Sequence, residues 1–188
     1  MLKLSEFQKQ MNQWIEESLP KTRSKNHQKV MEAMEYSIRN GGKRIRPLLM
    51  YAAYSLFSKE MAEEDIKPFL AAIEMIHSYS LVHDDLPAMD DDELRRGKPT
   101  CHVVYGEANA ILAGDGLLNY AYESLSQKAY ETLLIHQEKG IRMVRALAVL
   151  GKAAGIYGMI GGQAADMLFE NASDCSLEDL SYIHQHKT

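Results

Sequence analysis

Residues 67–87 read KPFLAAIEMIHSYSLVHDDLP, and this stretch decides the fold. Its apolar residues recur three and four positions apart, as at Phe69, Ala72 and Ile76, which is the spacing of an α-helix and not the alternation of a β-strand. Pro87 ends the pattern, because a proline disfavours helical geometry in the residue before it. The stretch therefore predicts one long helix with acidic residues at its C-terminal end.

The same spacing recurs along the rest of the chain, and β-branched runs of strand length are absent. We therefore predict an all-α fold, in which glycine and proline residues separate the helices. We also predict a single helical domain over residues 1–188. The predicted helices cover residues 3–18, 23–39, 46–58, 67–86, 107–128, 140–168 and 177 onward, the fourth of them beginning near Pro68.

Composition excludes several classes of protein. The 188 residues are 46% hydrophobic and 25% charged, as in an ordinary globular domain, and a net charge of −5 gives no electrostatic reason to expect a nucleic acid partner. The longest apolar stretch, residues 48–57, is far shorter than the roughly 20 residues that span a bilayer, so we expect no membrane partner. The N-terminus has no secretory pattern, and the two cysteines, Cys101 and Cys175, lie far apart in the sequence. Both observations favour a protein of the reducing cytoplasm.

The C-terminal end of the sequence resembles the beginning of a helix. Ser176 and Asp179 form a capping pattern, and Leu177, Leu180 and Ile183 begin an apolar stripe that is still running when the sequence stops at Thr188. We therefore expect the chain to be cut inside a domain. The alternative is a terminal helix that frays naturally.

The acidic segment carries the strongest chemistry. Asp84 and Asp85 are predicted to lie at a helix C-terminus, where the helix dipole disfavours anions, and residues 90–93 add more negative charge. Mg²⁺ would neutralise this charge, since it takes one or two carboxylates together with water and substrate phosphates. The alternative is a solvated charge run. Arg95 and Arg96 favour the metal, because guanidinium groups bind phosphate with two parallel hydrogen bonds, and the combination predicts a diphosphate site.

A second, basic cluster stands upstream in the sequence GGKRIRP at residues 41–47, where Lys43, Arg44 and Arg46 follow a glycine turn and precede a helix. Cations and backbone N–H groups at a helix start make an anion site. The segment is not a Walker A loop, so no nucleotide is implied. The alternative is a helix connection with solvated basic residues.

With these motifs in view, the sequence resembles the trans-isoprenyl diphosphate synthase family, and within it the bacterial farnesyl diphosphate synthases. Five blocks occur in the family's order from about residue 40 to the end. They are GGKRIRP at 41–47, DDLPAMD at 84–90 with LRRG at 94–97, GEANAILAGD at 106–115, GGQ at 161–163 with Asp166, and HKT at 186–188.

The resemblance implies an isoprenoid-synthase-type helical bundle, a homodimer, and roles for individual residues. Asp84, Asp85 and Asp90 would form the first aspartate-rich motif, with Asp84 and Asp90 as the direct Mg²⁺ ligands. Isopentenyl diphosphate would be held by Lys43, Arg46, His77 and Arg96, with help from Arg44. The catalytic residues would be Arg95, which holds the allylic diphosphate, and Lys187 and Thr188, which face the allylic substrate and its developing cation. Gln163 would help to bind this substrate by lining the same cavity with Asp166.

The resemblance also implies a reaction. Mg²⁺ and cationic side chains would assist ionisation of dimethylallyl or geranyl diphosphate, and the double bond of isopentenyl diphosphate would attack the allylic cation. Family members continue beyond this chain and carry a second aspartate-rich motif. We therefore expect the chain to be the N-terminal two thirds of the domain, with little turnover alone. Two alternatives stay open, a non-catalytic module that holds metal or diphosphate, and a diphosphate-cleaving hydrolase or cyclase.

Chain length is predicted from the helix that ends at Asp84. In the family, an aromatic residue five positions before the motif goes with bacterial enzymes that stop at C15, which makes Tyr79 the predicted floor of the cavity. Five residues turn a helix by roughly 140°, however, so Ser80 lies closer to the face of Asp84. Both residues are therefore candidates, and an ordinary core tyrosine is the alternative for Tyr79.

Overall fold

A computed structural model describes residues 4–21, 24–57, 63–170, 172 and 174–187. Within these ranges the regular elements are helices apart from one short hairpin, which confirms the predicted all-α class. The elements are α1 (Leu4–Ser18), α2 (Gln28–Arg39), α3 (Ile45–Phe57), α4 (Glu63–Asp84), β1 (Leu94–Arg95), β2 (Lys98–Pro99), α5 (Cys101–Tyr105), α6 (Glu107–Ile135), α7 (Gln137–Ala154), α8 (Met159–Phe169) and α9 (Leu177–His186).

The chain divides into two compact units, Met1–Lys128 and Ala129–Thr188. The prediction of a single domain over residues 1–188 is not decided by this division and stays a prediction.

Helix α4 is the centre of the first unit and packs against α1, α2 and α3. Half of its residues are buried, and they lie on more than one face, which is the pattern of a helix surrounded by others. Its Leu70 and Met75 are completely enclosed, as are Met11 and Ile15 of α1. The residues of the acidic segment therefore follow the most firmly packed helix of the unit.

The beginning of α4 differs from the prediction. The helix starts at Glu63, about one turn before Pro68, and ends at Asp84 instead of residue 86. Glu63, Glu64 and Asp65 favour the earlier start because acidic side chains stabilise the positive end of a helix dipole. Pro68 is thus inside the helix and not in its first turn.

Small residues of α6 let that helix approach its neighbours closely. A Cβ atom added to Gly114 would lie 2.1 Å from Nε2 of His83 in α4, and one added to Gly116 would lie 2.9 Å from the sulfur of Met34 in α2. Ala110 is completely buried on the same helix. The series of small residues is therefore a packing surface.

The second unit contains α7, α8 and α9. The prediction of one helix over residues 140–168 is wrong, because residues 155–158 separate α7 from α8. A Cβ atom on Gly158 would lie 1.9 Å from the carbonyl oxygen of Ala153, so only glycine fits this turn. The capping pattern predicted at Ser176 and Asp179 is confirmed, since each side chain bonds the other residue's backbone N–H.

By length and composition alone, the stretch Gln137–Phe169 would suit a membrane span, and 17% of an apolar 18-residue window within it is buried. It consists of α7 and α8 with the turn between them. One stretch of this kind is weak evidence for a membrane protein.

Candidate active site

The acidic segment folds into a compact turn after α4. The backbone N–H of Asp90 donates to the carbonyl of Asp84 over 2.9 Å, and the N–H of Asp91 donates to the carbonyl of Leu86 over 3.1 Å. Asp91 takes a left-handed backbone angle, φ 52°, which reverses the chain. The turn therefore brings Asp84 and Asp90, the two predicted direct metal ligands, next to each other at the negative end of the helix dipole.

Asp85 is placed differently from its two neighbours in the motif. It is 4% exposed, and its Oδ1 accepts a hydrogen bond from Nε of Arg95 at 2.6 Å and forms an ion pair with Nη2 of Arg95 at 2.5 Å. Burial raises the pKa of the Asp85 carboxyl, and the hydrogen bond and charge of Arg95 oppose that shift. The same hydrogen bond raises the pKa of Arg95. Asp85 therefore holds the guanidinium predicted to bind the allylic diphosphate.

Arg96 occupies the tip of the hairpin formed by β1 and β2. Arg96 and Gly97 both have positive φ, 56° and 77°, which is typical of a two-residue type I′ turn. From this tip the Arg96 guanidinium donates to the carbonyl of Gly41 in the basic loop. A side chain at Gly42 would displace that guanidinium, since a Cβ there would lie 2.8 Å from Nη1. The two predicted clusters therefore meet through Arg96.

A cavity of about 400 Å³ lies at this junction. Its lining includes all four residues predicted to hold isopentenyl diphosphate, although they come from the basic loop, α3, α4 and the hairpin tip. These four residues are Lys43, Arg46, His77 and Arg96. Burial and the neighbouring cations lower the pKa of Arg96, which indicates that positive charge is concentrated here.

His77 faces the cations from α4. Its Nε2 lies 3.5 Å from Nη1 of Arg46. Burial, followed by the charges of Arg46 and Arg96, lowers the pKa of His77 from 6.5 to about 4. His77 is therefore neutral at neutral pH and can offer a hydrogen bond without adding to the repulsion between the cations.

The two chain-length candidates lie on α4. Tyr79 is 7% exposed and packs edge-on against His83, with ring centroids 5.7 Å apart. His83 Nε2 lies 3.1 Å from the carbonyl of Ile111, so His83 joins α4 to α6. Ser80 donates to the carbonyl of His77 within the helix. The roles of Tyr79 and Ser80 in chain length stay predictions.

The remaining candidates lie in the second unit. Lys187 Nζ donates to Oδ2 of Asp166, so this pair joins the end of α9 to α8. Nε2 of Gln163 is buried and has no hydrogen-bond partner. Within the ranges that the structure describes, no other buried side-chain nitrogen or oxygen lacks one. An unpaired buried amide is costly and is typical of a group that meets a ligand or water. Thr188 lies outside the described residues.

Among the described residues, no group of three or more histidine, cysteine, aspartate or glutamate side chains is arranged to hold a metal ion. Mg²⁺ does not require such a cage, because it is commonly held by one or two carboxylates and completed by water and substrate phosphates. The hard oxygen donors of Asp84 and Asp90, brought together by the acidic turn, fit that mode of binding.

Three residues that support the site were not predicted from the sequence. Gln8 and Asn12 of α1 bond to the basic loop, and Glu74 of α4 pairs with Arg44. The sequence could have revealed Glu74, because it is a charged residue inside an apolar stretch of α4. Gln8 and Asn12 are ordinary polar residues in a surface helix, and the sequence offers no comparable signal for them.

Comparison with known proteins settles the family. A sequence model described as polyprenyl synthetase matches residues 27–188. The chain belongs to the polyprenyl synthetase family. It is 47% identical over 189 residues to a farnesyl diphosphate synthase from Geobacillus stearothermophilus, which covers 100% of this chain and 61% of that protein. The crystal structure of a geranyltransferase from Legionella pneumophila matches with a TM-score of 0.87 at 38% identity, covering 98% of this chain and 62% of that one.

A plant relative is equally similar. The large subunit 1 of a chloroplastic heterodimeric geranylgeranyl pyrophosphate synthase from Arabidopsis thaliana is 48% identical over 162 residues, covering 85% of this chain and 42% of that protein. These findings confirm the resemblance and the isoprenoid-synthase type of helical fold. The chain spans about three fifths of the length of the bacterial relatives, which agrees with the expectation that family members are longer.

Proposed function

We propose that the chain belongs to a Mg²⁺-dependent prenyltransferase that joins isopentenyl diphosphate to dimethylallyl or geranyl diphosphate. The observation that carries the proposal is the meeting of the acidic turn and the basic cavity within the first unit, joined through Arg96. Carboxylates that can hold a metal, next to cations that can hold phosphate, fit a diphosphate substrate. Relatives named as farnesyl and geranylgeranyl diphosphate synthases support the reaction type.

In this proposal the two groups of cations serve different substrates. Lys43, Arg46 and Arg96 hold isopentenyl diphosphate in the cavity, and neutral His77 donates a hydrogen bond beside them. Arg95, oriented by Asp85, holds the allylic diphosphate. Lys43→Ala or Arg46→Ala should therefore raise the KM for isopentenyl diphosphate, whereas Arg95→Lys should mainly impair the allylic step through its lost bidentate contact. Equal effects on both substrates would contradict this division.

Asp84 and Asp90 would hold Mg²⁺, which when bound draws charge from the allylic diphosphate and so favours its departure. The chain's own contribution is to keep the two diphosphates apart, hold the substrates and donate hydrogen bonds to the leaving oxygens. The allylic C–O bond breaks and its electron pair leaves on the diphosphate, while the double bond of isopentenyl diphosphate supplies the electrons of the new C–C bond. The proton that the resulting cation loses passes to the released diphosphate. We propose that Gln163, Lys187 and Thr188 face the allylic substrate.

The proposal also covers the oligomeric state of the enzyme and its cellular compartment. We propose a homodimer, which is supported by exposed apolar residues in the first unit, among them Val103, Val104, Ile111 and Leu112. Both cysteines are free, which supports work in a reducing compartment such as the cytoplasm. No charge pattern supports a nucleic acid partner.

Product analysis tests the proposal. Because the chain spans 61% of the Geobacillus stearothermophilus relative, the assay uses a chimera in which it replaces the matching part of that protein. With isopentenyl and geranyl diphosphate and Mg²⁺, we expect a C15 product that chelation of the metal abolishes. A folded chimera that makes no product would favour a binding module. Consumption of the allylic diphosphate without isopentenyl diphosphate would favour a hydrolase or cyclase.

The chain-length proposal uses the same assay. Tyr79→Ala should extend the products beyond C15, because it removes the buried ring that we propose as the floor of the cavity. Ser80→Ala is the matched comparison one position along the helix. If the Tyr79 variant is active and still stops at C15 while the Ser80 variant does not, the floor is at Ser80.

A further inference from the structure

Arg44 differs from the two basic residues beside it. Lys43 is exposed and Arg46 is half-buried, whereas the Arg44 side chain is 4% exposed. Its guanidinium donates from Nε to Oδ1 of Asn12, from Nη1 to Oε2 of Glu74 and from Nη2 to the carbonyl of Ile38, each over 2.8 Å. All three of its nitrogens are thus engaged by protein oxygens, which leaves little of this cation for a substrate.

The backbone at Arg44 gives a second, independent observation. Its φ is 51°, in the left-handed region that strains a non-glycine residue and persists only when the surroundings hold it. The contacts of the guanidinium, to α1, α2 and α4, supply that hold. Arg44 thus fixes the backbone from which Lys43 and Arg46 project.

Helix α1 holds the same loop at a second point. Gln8 Nε2 donates to the carbonyl of Lys43 over 2.9 Å. Gln8 and Asn12 are four residues apart and therefore lie on one face of α1. This helix precedes the region matched by the family, which begins at residue 27.

We propose that Arg44 is a positioning residue, held by Asn12 and Glu74, which sets Lys43 and Arg46 in place for a diphosphate and does not bind the diphosphate itself. The proposal rests on the proposed function, since it takes the basic cavity as the diphosphate site. It assigns a functional role to α1 and corrects the expectation that Arg44 assists substrate binding directly.

The test is calorimetric titration of the whole chain with inorganic diphosphate, together with hydrogen exchange over residues 41–46. Asn12→Ala removes one bond to Arg44 without changing any charge. We expect it to weaken diphosphate binding by roughly 3–10-fold, in keeping with the loss of one hydrogen bond to a charged group, and to speed exchange in the loop. Gln13→Ala is the matched control, because Gln13 is exposed on the same helix and bonds only along it, to Glu17.

Glu74→Gln makes the test sharper. Diphosphate binding should change in opposite directions if Glu74 acts only through its charge and if it holds Arg44 in place. If Glu74 acted only as a negative charge near the cavity, its removal would strengthen diphosphate binding. If it holds Arg44, its removal should weaken binding. The variant's thermal midpoint shows whether it is folded, and Asn12→Ala provides the answer if it is not.

The failures are distinguishable. Binding by the Asn12→Ala and Gln13→Ala variants equal to that of wild type, with binding lost in Lys43→Ala, overturns the positioning role and leaves the proposed function intact. Tighter binding by a folded Glu74→Gln variant also overturns the positioning role. A wild-type chain that binds no diphosphate overturns the proposed function and this inference together, and the wild-type titration alone identifies that case.

Discussion

In the first unit Leu70, Met75 and Leu117 are completely enclosed, whereas in the second unit Val149, Tyr157 and Leu168 are 70%, 78% and 71% exposed. Apolar faces of α1, α2, α4 and α6 bury one another in the first unit, so a core forms. In the second unit the large apolar side chains that the described helices bury are Met143 and Ile183. The difference teaches that the acidic turn and the basic cavity stand on the unit whose helices enclose a core, and a packed support holds the side chains of a site in position.

The largest expected effect concerns the chemistry assigned to the first unit. Asp84→Ala and Asp90→Ala in the chimera should each lower turnover by roughly 10²–10³-fold, because each removes a proposed ligand of the metal that stabilises the leaving diphosphate. Steady-state rates at saturating Mg²⁺ are the measurement. Asp174→Ala, in the second unit, is the control and should remain near wild type. Normal rates in both motif variants would refute the metal assignment.

The next effect tests the packing difference itself. Leu70→Ala should lower the free energy of unfolding by roughly 3 kcal/mol, since it opens a cavity in an enclosed core. Leu168→Ala, the same chemical change at an exposed site, should cost less than about 0.5 kcal/mol. Urea unfolding followed by circular dichroism measures both. Similar losses in the two variants would show that the units do not differ as described.

Sequence patterns predicted most of the helices because each carries its own apolar spacing and end signals. They also predicted which motifs would supply carboxylates and cations. They missed the break at residues 155–158, where only glycine fits against Ala153, and the type I′ hairpin tip at Arg96. They could not separate Arg44 from its basic neighbours, because its burial depends on Asn12 and Glu74, which are 32 and 30 residues away.

A smaller effect concerns pH and the charge gathered in the first unit. The folded-state pKa of His77 is lowered to about 4, mainly by burial. The stability that the protein gains from keeping His77 neutral is therefore fully present above pH 6.5 and is lost as the pH falls toward 4. Between pH 7 and pH 4.5, wild type should lose about 1–2 kcal/mol more than His77→Gln, after allowance for partial exposure. Urea unfolding at several pH values measures the difference. Equal losses would show that His77 is not held neutral by its surroundings.

The central claim is that the first unit builds the diphosphate site from its own contacts, and hydrogen exchange of the whole chain with Mg²⁺ and inorganic diphosphate tests it most directly. We expect ligand to slow exchange in residues 41–46 and 84–96, where the basic loop, the acidic turn and the hairpin tip lie. Exchange in α7 should not change, since none of the proposed substrate contacts lies on that helix. Slower exchange confined to α7–α9, or no change anywhere, would contradict the claim.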